Sequence, residues 1–140
     1  MTSDNLENLA SIGKLKRERT SQFELDGLVQ SGRRRLADAR VANLSIEGRF
    51  DLAYNASHSL ALAALRWHGY RSDHRYLVFQ CLPFTLGMES AQWRLLSLCH
   101  ERRNLAEYEG HLEVEERLVA ELIDMAEVIA EKVEALGELT

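Results

Sequence analysis

Apolar residues recur along this chain at the three- and four-residue spacing of amphipathic helices, and no stretch alternates with the period of two that a half-buried strand requires. The closing segment is the clearest case. Leu118, Val119, Leu122, Ile123, Ala126, Ile129, Ala130, Val133 and Leu136 keep one face apolar and predict a long helix starting about Glu113. Ser21-Gln22-Phe23-Glu24 has the form of a capping box and opens a helix that runs to about Ala42. Ser45 caps the next one, from about Ile46 to Trp67, whose second half (Leu60, Ala61, Leu62, Ala63, Ala64, Leu65) is apolar on every side. A helix of that kind touches neighbours all round and belongs at the centre of a fold. A short helix from about Asn5 to Lys14 precedes these. Another, from Asp73 to about Leu82, should end or kink at Pro83, because proline lacks an amide donor and clashes with the preceding turn. A further helix spans about Ser90 to Glu109, and Gly110 stops it. With one proline in the chain and its glycines isolated at apparent helix ends, the pattern predicts an all-α, up-and-down-like bundle of five to six helices. It forms a single domain over residues 1–140, with the short N-terminal helix at 5–14 and the core bundle at 21–137.

The Ser90 to Glu109 helix carries apolar residues on two sides. At about 100° per residue, Ala91, Leu95, Leu98, Cys99, Leu105 and Ala106 form one stripe; Trp93, Leu96, His100, Arg103, Asn104 and Glu107 lie roughly opposite. Only one stripe can face the protomer's own core. The first is expected inward. The second starts with Trp93 and Leu96 and ends in a polar patch, as expected of a homodimer interface that frames a polar cleft; the alternative is a solvated face bearing one stray tryptophan.

Length and composition narrow the classes. A chain of 140 residues buries a sizeable core without metals or disulfides. The start, Met1-Thr2-Ser3-Asp4, lacks a basic stretch followed by an apolar run, and the apolar segment from Ser59 to Trp67 is too short to span a bilayer, so no membrane role and a cytoplasmic location are expected. Cys81 and Cys99 have neither CxxC nor Cys/His metal spacing and read as reduced core residues. The net charge of −5 hides an asymmetry: residues 1–106 carry fifteen Lys/Arg against eleven Asp/Glu, whereas residues 107–140 carry two against eleven. The acidic closing helix either masks or borders a basic surface or is simply well solvated. Arg33-Arg34-Arg35 with Arg40, and Lys14, Lys16, Arg17 with Arg19, are local basic clusters, but both are interleaved with acids, unlike the dense stripe of a DNA-binding module.

Candidate chemistry centres on one stretch, Arg102-Arg103-Asn104-Leu105-Ala106-Glu107-Tyr108-Glu109-Gly110, preceded one turn earlier by His100. The five histidines, His58, His68, His74, His100 and His111, are scattered without HExxH spacing, so neither a metal nor another cofactor is expected. Ser57-His58-Ser59 is no catalytic pair, since adjacent helical residues diverge by about 100°. Arg103-Asn104 is the better case. A guanidinium holds a phosphate through two parallel donors and stabilises charge developing on it, and the adjacent amide orients a ribose or phosphate oxygen. Asn104 and Tyr108 are i,i+4 neighbours, as are His100 and Asn104, and Arg103 and Glu107. Tyr108, with an ordinary pKa of about 10, is a poor base at neutral pH but a good hydrogen-bond donor. The competing reading is an Arg-Asn-Tyr network that only pins helices together.

This pattern resembles the HEPN superfamily of small helical bundles, which carry an Arg-polar-x(3–5)-His signature on a late helix. The resemblance covers most of the chain: Phe50-Asp51-Leu52-Ala53-Tyr54-Asn55-Ala56 running into Leu60 to Trp67, the His74 region, and above all Arg102 to Tyr108. It implies a homodimer in which two signature motifs meet in a cleft, agreeing with the second face of the Ser90 to Glu109 helix. Members include metal-independent ribonucleases of toxin–antitoxin, abortive-infection and CRISPR systems, and non-catalytic partners of nucleotidyltransferases. By position Arg103 and Asn104 match the signature, while Tyr108 stands where it has histidine, and His111 lies one residue beyond the usual gap. The resemblance implies a nucleotide- or RNA-binding protein of a prokaryotic defence or toxin–antitoxin system. Arg103, Asn104 and Tyr108 would form its reactive centre and Arg102, His100, Glu107 and His74 its nucleotide-binding surround, with Trp93 and Leu96 at the dimer interface. The alternatives are an active metal-independent ribonuclease, with His100 or Tyr108 handling protons, and a non-catalytic helical partner of a nucleotidyltransferase or of an antitoxin.

Overall fold

The computed structural model describes residues 2–139. Seven helices form among them: α1 (Thr2–Ser11), α2 (Gln22–Ala39), α3 (Ile46–Trp67), α4 (Arg75–Gln80), α5 (Leu82–Thr85), α6 (Ser90–Glu109) and α7 (Glu116–Ala135). The chain is the helical bundle that the periodicity predicts. The caps act as expected: Ser21 Oγ accepts from Glu24 N at 3.1 Å, and Ser45 Oγ accepts from Gly48 N at 3.0 Å. Gly110, at φ 77°, ends α6 in the left-handed region.

The all-apolar half of α3 does make it central. It packs against α2 and α7 on one side and against α4, α5 and α6 on another, and Phe50, Ala53, Ala56, Leu60, Ala63, Ala64 and Leu65 are wholly buried. The approach to α2 is closest at Gly32, where an added Cβ would sit 2.5 Å from Leu60 Cγ. Glycine is what permits that crossing. Cys81 and Cys99 are buried free thiols, and burial pushes them up to about 11 and about 12.

Four expectations are corrected. The first helix runs over Thr2–Ser11 rather than 5–14, because Gly13 at φ 81° turns the chain and its N–H bonds back to Ala10 O. The helix expected over 73–82 is two short ones; Pro83 sits in the first turn of α5, where its missing donor costs nothing. The last helix begins at Glu116 and not at Glu113. A two-residue antiparallel ladder also exists where no strand was expected, β1 (Lys16–Arg17) on β2 (Tyr70–Arg71).

Arg66 accounts for that ladder. It is fully buried, donates to the carbonyls of Glu18 at 3.0 Å, Arg19 at 2.8 Å and Tyr70 at 3.2 Å, and its Nε donates to Glu24 Oε2 at 3.0 Å. One guanidinium thus gathers the connector before α2 and the turn after α3. Glu24 is therefore spent on Arg66 and does not close the capping box at Ser21.

The acidic closing helix is paired in part. Glu127 binds Arg33 at 2.6 Å and Arg40 at 3.1 Å, and Glu134 also binds Arg33. Half of the α2 basic cluster is thereby neutralised within the fold. No described helix is long and apolar enough to cross a membrane.

Candidate functional site

The polar residues of α3 that do not face α2 repeat at i, i+3, i+4 and i+7: Asp51, Tyr54, Asn55 and His58. α4 begins opposite them with Arg75 and Tyr76, and α6 supplies His100, Arg103 and Asn104. Tyr54 is the hub. Its ring is 1% exposed, packed by Phe50 at 6.3 Å and edge-on to Phe79 at 5.7 Å. The Arg75 and Arg103 guanidinium carbons lie 5.7 Å and 5.0 Å from its centroid, within cation–aromatic range. Its hydroxyl is 2.8 Å from His100 Nδ1, and Asn104 Nδ2 donates to His100 Nε2 at 3.1 Å. Since Nε2 accepts, the neutral imidazole carries its proton on Nδ1 and donates it to Tyr54 Oη.

The charges here are not balanced. Among the described residues, Arg75 is held by Asn55 Oδ1 at 2.8 Å and by no carboxylate. Arg103 reaches Glu107 at 3.3 Å and Asp51 at 3.6 Å, both largely exposed, and its Nε is buried without a hydrogen-bond partner. The histidines register their burial first and the nearby cations second. Burial, then Arg75 and Arg103, push His58 down to about 4. Burial, then Arg103 and Arg75, also hold His100 below its ordinary value, and burial pushes the Tyr54 phenol up. At neutral pH the cluster therefore consists of two fixed cations, two neutral imidazoles and a neutral phenol, with the Asp51 and Glu107 carboxylates at its exposed edge. Such a set can bind an anion, and His100 can accept a proton at Nε2 when a ligand displaces the Asn104 amide from it. Among the described residues no three His, Cys, Asp or Glu side chains are grouped to hold a metal.

Of the residues singled out in the sequence, the fold brings Arg103, Asn104 and His100 together and leaves Glu107 at the edge as a partner of Arg103. The others lie elsewhere. Tyr108 is 90% exposed, so the Arg-Asn-Tyr network does not form; Tyr54 occupies the place expected for Tyr108. Arg102 turns away to Glu113, whose carbonyl accepts from it at 3.3 Å. His74 lines a separate recess with Lys14, Lys16 and Arg71. Leu96 is fully buried in the protomer's own core and is not at a dimer interface, because α6 turns the line Gln92, Leu96, Cys99, Arg103 and Ala106 inward, between the two predicted stripes. Leu98 and Leu105, expected inside, are 38% and 44% exposed. Trp93 is half-buried and edge-on to Tyr76 at 6.2 Å.

The residues that sequence reasoning missed are Tyr54, Arg75, His58 and Tyr76. For α3 a signal existed in the polar i, i+3, i+4, i+7 line of an otherwise apolar helix. For Arg75 and Tyr76 none did, since only the packing of α4 on α3 and α6 brings them in. Comparison with known protein families, with curated proteins and with solved structures gives no match to this chain.

Proposed function

We propose that this chain is a HEPN-like nucleotide- or RNA-binding protein, of the kind found in prokaryotic defence or toxin–antitoxin systems, that takes a phosphate at Arg75 and Arg103. One observation carries the reading: two guanidiniums converge on one tyrosine ring, and among the described residues Arg75 has no carboxylate partner while Arg103 has only the largely exposed Asp51 and Glu107. A guanidinium whose acids are absent or solvent-exposed is free to hold a phosphate through its paired donors. The test is binding of end-labelled RNA and of nucleoside monophosphates to wild type, Arg75→Ala and Arg103→Ala in EDTA. Each variant should lose ten-fold or more in affinity, the equivalent of one charge-assisted bond at about 1.5–3 kcal/mol. Unchanged affinity in both folded variants would remove the proposal.

A second reading, metal-independent RNA cleavage, is favoured by His100, whose imidazole is neutral, is oriented by Tyr54 and Asn104, and lies one turn from Arg103. It takes the proton-transfer role for which Tyr108 is misplaced. Cleavage in EDTA by wild type and its loss in His100→Gln would support it. The homodimer reading moves with the corrected rotation of α6: Leu98, Leu105 and Tyr108 are its exposed apolar residues, and light scattering of wild type and Leu98→Glu/Leu105→Glu tests it.

A further inference from the structure

We propose that the open recess beside this cluster takes an unpaired guanine base, so that the ligand is a guanine nucleotide or a single-stranded RNA presenting one. The proposal rests on the phosphate reading of Arg75 and Arg103. The recess, about 430 Å³, is lined by Tyr76, Ser97, His100, Glu101 and Asn104. It shares His100 with the arginine cluster, so one ligand can span the two.

Tyr76 is a ready stacking surface. Its ring is 37% exposed yet fixed on several sides: edge-on to Trp93 at 6.2 Å, tilted over His100 at 5.2 Å, and with its hydroxyl 3.4 Å from Ser97 Oγ. A flat aromatic ring held with a free portion suits a nucleobase, and stacking on it needs an unstacked, single-stranded base.

The hydrogen-bonding groups around that ring choose the base. Asn104 gives one of its two amide hydrogens to His100 and presents Oδ1 as an acceptor. Glu101 lies three residues earlier on the same face of α6, is exposed, and offers two more acceptor oxygens. The two oxygens of the Glu101 carboxylate call for an edge with two neighbouring donors. Guanine has one, N1–H beside the N2 amino group; adenine and cytosine set a single amino group beside an acceptor, and uracil sets one N–H between two carbonyls. The carboxylate also fixes polarity, since it repels phosphate and the arginines attract it. Base toward Glu101 and phosphate toward Arg103 is the arrangement that satisfies both.

The test is calorimetric titration of GMP, AMP, CMP and UMP into wild type, Glu101→Gln, Tyr76→Leu and Arg103→Ala, with folding checked by circular dichroism. Wild type should bind GMP about ten-fold or more tightly than the other three, the worth of a good bidentate base contact. Glu101→Gln should bring GMP down to the level of AMP while leaving AMP unchanged, and Tyr76→Leu should weaken all four by about 5- to 100-fold. Equal affinity for the four monophosphates, or a guanine preference that survives Glu101→Gln, overturns the base assignment and leaves the phosphate reading standing. If Arg103→Ala keeps GMP affinity while Glu101→Gln loses it, the base assignment stands and the phosphate contact at Arg103 falls. Failure of folded wild type to bind any of the four overturns both.

Discussion

The same substitution at two positions of α2 should act in opposite directions. Gly27 and Gly32 are both interior to this helix, where alanine is favoured over glycine by about 1 kcal/mol because glycine loses more backbone freedom on folding. Gly27 is exposed, and a Cβ built there meets nothing within 4 Å. Gly27→Ala should therefore stabilise the protein by roughly 0.5–1 kcal/mol. At Gly32 the same Cβ comes to 2.5 Å from Leu60 Cγ and 2.9 Å from its Cδ2, and Leu60 is wholly buried with no room to withdraw. Overpacking of that kind costs about 1–3 kcal/mol, so after the helix-propensity gain Gly32→Ala should be destabilising by up to about 2 kcal/mol. With a urea dependence of about 1–3 kcal/mol per molar, the two unfolding midpoints should separate by on the order of 1 M, on opposite sides of wild type. Leu60→Ala added to Gly32→Ala should cost less than the two single changes summed, since it removes the atoms that clash. A Gly32→Ala protein as stable as Gly27→Ala, with no coupling to Leu60, would refute the close α2–α3 crossing.

Acid should unfold the protein in stages. The folded pKa of His58 is depressed, from 6.5 to about 4, so the unfolded chain binds the proton first. This contribution, on the order of 3 kcal/mol, is present above pH 6.5 and is lost as pH falls toward 4; His58→Gln should flatten that limb in urea titrations at stepped pH. Glu24 and Glu127 are held below their ordinary value, Glu24 first by Arg66 and Glu127 first by Arg33, so a further loss follows below about pH 4.5. Arg66→Met should cost about 3–5 kcal/mol in equilibrium unfolding, because it strands three backbone carbonyls, while Glu24 keeps Arg71; a loss under 1 kcal/mol would show that the clasp is not needed. Tyr108→Ala should leave stability within about 0.5 kcal/mol and ligand affinity unchanged, given its exposure, whereas Tyr54→Phe frees His100 Nδ1 and should weaken binding. The reverse outcome in a nucleotide titration would restore Tyr108 to the site.

The helices could be read from the chain because their determinants are local. Ser21 and Ser45 cap whatever follows them by reaching three residues ahead, Gly110 is at ease in the left-handed region, and the apolar run of α3 can only be solvated at great cost. The rotation of α6 was not readable in that way. Helical periodicity gives the angles between its side chains, but with apolar residues all round it leaves open which line faces inward. The structure turns Leu96 and Cys99 in and Leu98 and Leu105 out, because α6 must meet α3, α4, α5 and α7 at once.

The site divides along the same line. Arg103, Asn104 and His100 share a helical surface three and four residues apart, so the sequence by itself put them together. Whether a tyrosine completed the group was a question of distance in space. Tyr108, one turn along α6, projects into solvent, while Tyr54, on another helix, lies under both arginines and against His100. Local spacing decided what each helix offers, and burial decided which offers meet. A cation without its full set of acids, and a histidine kept neutral, arise only when α3, α4 and α6 close around one ring and exclude the water that would otherwise screen them.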